Sequence, residues 1–337
     1  MSQPLVFLRD RLTISGVDPV SSMLSGHRGR GAFLLRCSMA PPWSVRIADA
    51  STVSLIVMMG GRLVIAWPGE EPVWLSDGDV AVIKTTTPYL LASDLDTPPQ
   101  VVIEPGQHCR PLSGAAAAAY QQGLRTWGNS PDGSCVFLAG TYELPSQISG
   151  QLLQAIPSLL VLPAAHQDTP GVALLAAELG KHAPGQDAVL DRLVDLVLIT
   201  TLRAWFARDT SAAPAWWLAS EDPLIGDVLR LMHSQPAQPW TLESIAAQVA
   251  VSRATLARRF TQLLGQPPMA YLAEWRLCLA ADLLRDTTHT IETIAHQTGY
   301  ASPFAFSAAF KRRFGQPPRR YRHVSTIPSA PARPWEE

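Results

Sequence analysis

The sequence predicts an α+β multidomain chain: a β-barrel or sandwich in front, a helical segment behind it, and an all-α C-terminal domain built on two helix-turn-helix units. Three observations carry this. Short β-rich runs follow one another between residues 53 and 103, a pattern recurs at an offset of 49 to 50 residues near the C-terminus, and an excess of basic over acidic charge is concentrated in that repeated region. The chain has 337 residues, 47% hydrophobic and only 16% charged against the roughly 25% typical of globular domains. That is length for about two domains and apolar content for two cores.

The front domain rests on Val53–Met59, Arg62–Trp67, Val73–Leu75, Val80–Ile83 and Gln100–Ile103, divided by Gly60-Gly61, Pro68-Gly69 and Ser76–Asp79. Apolar, β-branched runs between glycine and proline turns at this spacing indicate an all-β barrel or sandwich. Asp77 and Asp79 are explained by a hairpin turn, with calcium as the other reading. Trp43, Arg46, Trp67, Trp74 and Tyr89 either line a ligand cavity, apolar with a polar anchor, or simply fill the core. Gly26–Gly31 is glycine-rich and basic but matches no phosphate-loop pattern, so it reads as a loop.

Four cysteines, Cys37, Cys109, Cys135 and Cys278, show no CxxC spacing, which argues against a zinc site. Scattered thiols suit a reducing cytoplasm, either as buried inert groups or as a redox-sensing pair. The opening Met1–Asp10 lacks the charge-then-apolar pattern of a secretion signal, and no apolar run approaches the ~20 residues that span a bilayer. A cytoplasmic protein without a membrane partner is expected.

Residues 145–207 turn helical, with Ile148, Leu152, Leu153 and Ile156, then Val172–Leu179, then Val189–Phe206. The last presents Leu190, Leu193, Val194, Val197, Leu198 and Leu202 at helical spacing. This stripe either buries against the β-domain or pairs two helices across a dimer axis. The expected limits are a front domain over 1–206, a linker over 207–222, a second domain over 223–325 and a disordered proline-rich tail over 326–337.

The repeat aligns Thr241–Gln248 with Thr290–Gln297, then Ser252, Phe260, Gly265, Gln266-Pro267-Pro268 and Tyr271 with Ser302, Phe310, Gly315, Gln316-Pro317-Pro318 and Tyr321. Each copy reads as helix, tight turn, helix. Thr241 and Ser252 cap the two helices of the first, and Gly265 ends it before a Pro-Pro pair. Gly299 suits a sharp turn in the second. Between the copies, Pro268–Arg285 reads as one helix of roughly 27 Å, a rod able to hold two reading helices about one DNA turn, roughly 34 Å, apart.

The formal net charge of −1 averages two unlike parts. Residues 1–219 carry 14 basic and 18 acidic side chains, whereas Ser252–His323 hold 11 basic against 4 acidic. A basic module hides inside a neutral chain. The outward positions of the second helices, with their caps, are Ser252, Arg253, Thr255, Arg258, Arg259 and Gln262 in copy one. In copy two they are Ser302, Phe304, Ser307, Lys311 and Arg312, with Ala308 and Arg313 beside them. A solvated basic face would explain a lone charge run. Repetition of that face on two helix-turn-helix units points to double-stranded DNA, with arginine suited to guanine and Lys/Arg to phosphates.

These residues resemble the AraC/XylS family of bacterial transcription regulators. The words that carry the likeness are Trp240–Ala246, Ser252–Phe260, Gly265–Pro268, Tyr271-Leu272 and Trp275-Arg276, then Ile294-Ala295, Gly299–Ser302, Phe306 and Phe310–Arg322. The front stretch Gly60–Ile83, with Ala40–Ile47, Leu138–Gly140 and Trp217–Pro223, is similar to the cupin-like sensor domains of a subgroup of that family.

The resemblance implies a promoter-binding regulator, a homodimer whose front domain either responds to a small-molecule effector or only dimerises, and RNA polymerase as partner if it activates. It sets Arg258 where a base-contacting arginine is common; Ala308 departs from the pattern in copy two, so that unit is expected to read by phosphate contact and shape. Metal-bearing cupins use clustered His and Glu, yet His27, Glu104 and His108 are not at ligand spacing. Ile83–Tyr89 lacks the His that relatives often carry, and Ala139 stands where relatives can have Cys. No metal and no cofactor are therefore expected, and no catalysis; the alternative is a cupin-type metal-dependent enzyme with an appended DNA-binding domain.

Overall fold

The computed structural model describes residues 33–49, 51, 53–112, 117–123, 125–142, 155–166, 170–181, 183–208 and 213–325. The stretch Gly26–Gly31 with His27, the helix expected around Ile148–Leu153, and the tail 326–337 lie outside them. The chain divides into two compact units, one holding the described residues from 33 to 208 and the other those from 213 to 325.

The first unit has thirteen strands: β1 (Phe33–Met39), β2 (Ser44–Ile47), β3 (Val53–Gly60), β4 (Arg62–Ala66), β5 (Val73–Ser76), β6 (Val80–Ile83), β7 (Tyr89–Ala92), β8 (Val101–Glu104), β9 (His108–Pro111), β10 (Gln121–Gly123), β11 (Thr126–Trp127), β12 (Cys135–Tyr142) and β13 (Leu159–Leu162). They form a seven-stranded sheet ordered β10-β11-β1-β12-β3-β6-β13 and a six-stranded sheet ordered β5-β4-β7-β2-β8-β9. Of the barrel and the sandwich that the strand spacing allows, the two sheets form a sandwich. No strand pairing joins the two sheets among the described residues, and side chains from both inner faces fill the space between them. Trp43, Met58, Leu63, Ile65, Leu75 and Phe137 are the middle of that core.

Asp79 does the turn work expected of it. Its Oδ2 accepts from the Ser76 amide at 2.8 Å and its Oδ1 from the Ala164 amide at 3.0 Å.

Strand β3 is buried on both faces over Val53–Met58, which explains its apolar run Leu55–Met59. Its alternate residues Leu55 and Val57 belong to the outer face of the larger sheet, with Val80, Val82, Leu160 and Leu162, all buried. Two helices follow, α1 (Gly171–Leu179) and α2 (Gln186–Arg208); they pack on each other and α2 reaches β13.

The second unit is all-helical: α3 (Ala215–Glu221), α4 (Pro223–Ser234), α5 (Leu242–Gln248), α6 (Arg253–Leu264), α7 (Pro268–Asp286), α8 (Ile291–Gln297), α9 (Pro303–Phe314) and α10 (Pro318–Ser325). Within the stretch expected to be a linker, α3 is a helix whose Ala219 is fully buried in the core of this unit. Helix α7, 19 residues and about 28 Å long, is the shared beam. Its Tyr271 and Leu272 join one core with Ile245, Leu256 and Phe260. Its Leu277, Ala281 and Leu284 join a second with Ile294, Phe306 and Phe310.

Candidate functional site

Both helix-turn-helix copies are built by the same local chemistry. Thr241 and Thr290 cap α5 and α8, their hydroxyls accepting from the amides of Ser244 at 3.1 Å and Thr293 at 3.0 Å. Ser252 and Ser302 cap α6 and α9 through the amides of Thr255 at 3.1 Å and Ala305 at 3.2 Å. Capping satisfies amides that a helix start leaves without a partner. Gly265 and Gly315 end the second helices at φ +72° and +74°. The turn between the helices is left-handed in both copies, at Ala250 (φ +55°) and Gly299 (φ +77°).

With Leu256 and Phe260 fully buried, α6 presents Arg253, Thr255, Arg258, Arg259 and Gln262 to solvent, continuing from exposed Ser252. Its three arginines are not alike. Arg253 pairs with Glu243, and its hydrogen bond holds that carboxyl below its ordinary range. Arg259 donates to Oδ2 of Asp222 from Nε at 3.2 Å and Nη2 at 2.5 Å. Arg258 has no ion-pair partner among the described residues. Burial opposes ionisation of Asp222, but the Ile225 amide and Arg259 outweigh it, so its carboxyl lies below the usual value.

On α9, Phe306 and Phe310 are buried while Phe304, Ala308, Lys311 and Arg312 are exposed; Ser302 and Ser307 are half-buried. Phe304 is 86% exposed, a large apolar side chain standing in solvent on the first turn. Arg313 is turned to Glu274 of α7 at 2.6 Å. Lys311 and Arg312 have no ion-pair partner among the described residues.

Three features escaped the sequence reading. Arg276 donates to the carbonyls of Pro236 at 2.8 Å and Gln238 at 2.7 Å, tying α7 to the loop before α5. His233 lies buried against Trp275, ring centroids 3.8 Å apart, with its Nε2 2.9 Å from the Tyr271 hydroxyl. Burial pushes its pKa down to about 3, so it is neutral. The Asp222–Arg259 contact was the most legible of the three, because Asp before Pro223 is a helix-start signal.

In the first unit a cavity of about 370 Å³ opens among Cys37, Ile56, Leu91, Trp127 and Phe137, with Asp49 and Tyr89 at a polar end. Of the five residues read as either cavity lining or core, Tyr89 lines the cavity. Trp43 is fully buried and stacks on Phe137 at 5.9 Å. Trp67 packs on Tyr89 at 5.4 Å. Trp74 is 43% exposed beneath Arg62, and Arg46 faces solvent. The expected dimer stripe is also occupied: Leu190, Val194, Val197, Leu198 and Leu202 are buried within the unit and Leu193 is half-buried.

Burial raises the pKa of the Cys37 thiol strongly, that of Cys135 to about 11, and that of half-buried Cys109 as well. These are unreactive thiols at neutral pH. Glu104 pairs with Arg110 at 2.7 Å, and no set of three His, Cys, Asp or Glu side chains suited to a metal ion occurs among the described residues. No helix among them is long and apolar enough to cross a membrane.

Comparison with known proteins matches residues 18–207 to a cupin family model and residues 245–323 to a helix-turn-helix domain. An AraC-like transcription regulator of Streptomyces lividans is 31% identical over 318 residues, 93% of this chain and all of its own. One from Streptomyces antibioticus is 30% identical over 91% of this chain and 98% of its own. The transcriptional regulator AlkR of Acinetobacter baylyi is 28% identical over 83% of this chain and 90% of its own. The chain belongs to the AraC-like family of DNA-binding transcriptional regulators, with a cupin domain preceding its helix-turn-helix domain.

Proposed function

We propose that α6 and α9 enter successive major grooves of double-stranded promoter DNA, and that Arg258 reads a guanine. The observation that carries this is the division of labour on α6, where Arg253 and Arg259 have acidic partners and Arg258 has none among the described residues. A free guanidinium fork is what bidentate guanine contact needs. Thr255 and Gln262 flank it, and the helix starts at Ser252 and Ser302 suit phosphates. On α9, Lys311 and Arg312 neutralise phosphates, Ser307 hydrogen-bonds, and Phe304 with Ala308 offers an apolar surface to thymine methyls.

In this reading the regulator works in the cytoplasm as a homodimer, responds to a small-molecule effector held between the two sheets, and meets RNA polymerase where it activates. It binds and does not catalyse. Since the Leu190–Leu202 stripe is already buried, the second copy of the chain docks beside it. Leu174 on α1, with Val189 and Leu196 one heptad apart on α2, is exposed there. Such a patch against its own copy gives a two-fold interface.

Genome-wide mapping of bound DNA tests the function directly. Enrichment at a small set of promoters sharing one motif is expected; scattered, motif-free occupancy would overturn it. Light scattering of a Leu196→Arg variant tests the dimer, with a shift to monomer expected. Elemental analysis that found stoichiometric iron, manganese or zinc would favour the enzyme instead.

A further inference from the structure

We propose that the cavity between the two sheets binds a small hydrophobic cation, an aryl- or alkylamine whose ammonium group meets the carboxylate of Asp49. This rests on the reading of the front unit as an effector sensor and names the chemistry that the sensor selects. At about 370 Å³ the space equals roughly a dozen waters, so the guest is small.

The walls select the guest's body. Ile56, Leu91, Trp127 and Phe137 are carbon surfaces, and water held against them gains little.

The polar end selects the head. Among the described lining residues there is no lysine or arginine, whereas the carboxylate of Asp49 is there; His108 sits at the exposed rim. A carboxylate anion entering here meets a like charge, with no lysine or arginine among the described lining residues to offset it. The Asp49 carboxylate is held in place rather than spent. Its Oδ1 accepts from the Ser51 amide at 3.2 Å, and its Oδ2 accepts from the Ser51 hydroxyl at 2.7 Å and from Nε2 of Gln107 at 2.9 Å. A carboxylate has about four acceptor positions, and donors among the described residues fill three of them.

Gln107 completes the frame. It keeps a left-handed backbone at φ +63° in the β8–β9 turn, and its amide nitrogen also lies 3.4 Å from the Thr141 hydroxyl. A non-glycine residue in that region persists where its surroundings hold it. Here the hold fixes the carboxylate at the end of an apolar cavity, the arrangement that recognises an amphiphile by its charged end.

The test is calorimetric titration of the full chain with three probes sharing one body: 3-phenylpropylamine, 3-phenylpropanol and 3-phenylpropanoate. The amine is expected to bind about tenfold more tightly than the alcohol, as for a hydrogen bond to a charged group, and the propanoate more weakly than either. Asp49→Asn is expected to bring amine and alcohol level, and Ala139→Phe, which fills the cavity, to abolish both. Comparing the probes on the unaltered chain keeps the test valid if a variant fails to fold.

Alcohol binding as well as the amine overturns the cation assignment but leaves an effector site standing. No binding by any probe, or amine binding unmoved by both variants, overturns the site itself. Amine binding at Asp49 that leaves promoter affinity unchanged supports the site and overturns the sensor reading.

Discussion

On α6, Arg259 donates from Nη2 to Oδ2 of Asp222 at 2.5 Å, while its neighbour Arg258 stands in solvent with no ion-pair partner among the described residues. Asp222 at the same time caps α4, accepting from the amides of Leu224 at 3.1 Å and Ile225 at 2.9 Å. The two arginines therefore differ in kind. Asp222→Ala should cost about 1–2 kcal/mol of stability, chiefly as a lost cap. Arg259→Ala should cost under about 1 kcal/mol, since its guanidinium is half exposed, and Arg258→Ala under about 0.5 kcal/mol. Urea unfolding followed by helical circular dichroism orders the three; a loss for Arg258→Ala equal to that for Asp222→Ala would contradict the division.

Stability should fall as pH drops below His233's ordinary range. Its folded pKa is lowered to about 3 from 6.5 by burial against Trp275 and Tyr271. Between those values the unfolded chain takes up a proton that the folded chain refuses, so the histidine's contribution is present above pH 6.5 and lost on acidification. By pH 5 the loss is about 2 kcal/mol. His233→Phe should be less stable at pH 7.5 yet lose less between pH 6.5 and 5, seen as a flatter melting-temperature profile. Parallel profiles would show that His233 does not titrate in this way.

Ala250 and Gly299 occupy the same turn of the two copies, both left-handed. A Cβ there crowds its own carbonyl. Ala250→Gly should therefore stabilise the C-terminal unit by about 1 kcal/mol. Gly299→Ala should destabilise it by about 2–3 kcal/mol, because a Cβ would lie 2.7 Å from the Pro236 carbonyl oxygen and 2.8 Å from Cζ of Arg276. Thermal melts of both variants check the opposite signs.

This pair marks what the sequence could and could not disclose. The repeat located both turns, and Gly299 announced its own backbone geometry; alanine at 250 hid the same geometry because its residue type does not require it. The reading helices were legible because caps, apolar spacing and terminal glycines are local signals. The partners of Arg253 and Arg259 depend on packing, and 37 residues separate Arg259 from Asp222.

In the front unit the strand positions were legible, but the choice between core and cavity for Trp43 and Trp67 was not. Alternation assigns a residue to a face without telling whether that face meets a cavity or a packed layer. Helix α2 shows the same limit: spacing marks an apolar stripe without telling that Leu190, Val194, Val197, Leu198 and Leu202 are buried within the unit.

Phe304 gives the second reading helix a chemical signature. If it meets a thymine methyl, replacing that thymine by deoxyuridine in the bound site should weaken binding about fourfold, the worth of one buried methyl group. Phe304→Ala should bind more weakly and lose this sensitivity. Gel-shift titrations with site-by-site deoxyuridine substitution measure both; sensitivity retained in Phe304→Ala would assign the methyl contact elsewhere.

The central claim, that α6 reads bases through Arg258, is tested most directly by selecting bound sequences from a random duplex pool with the unaltered chain and with Arg258→Ala at one fixed salt concentration. The variant is expected to lose preference for guanine at one position of an otherwise unchanged motif. Affinity for the selected site should fall by about 1–3 kcal/mol, and affinity for unrelated DNA should barely change. An equal loss on selected and unrelated DNA, or a motif unaltered at every position, would contradict it.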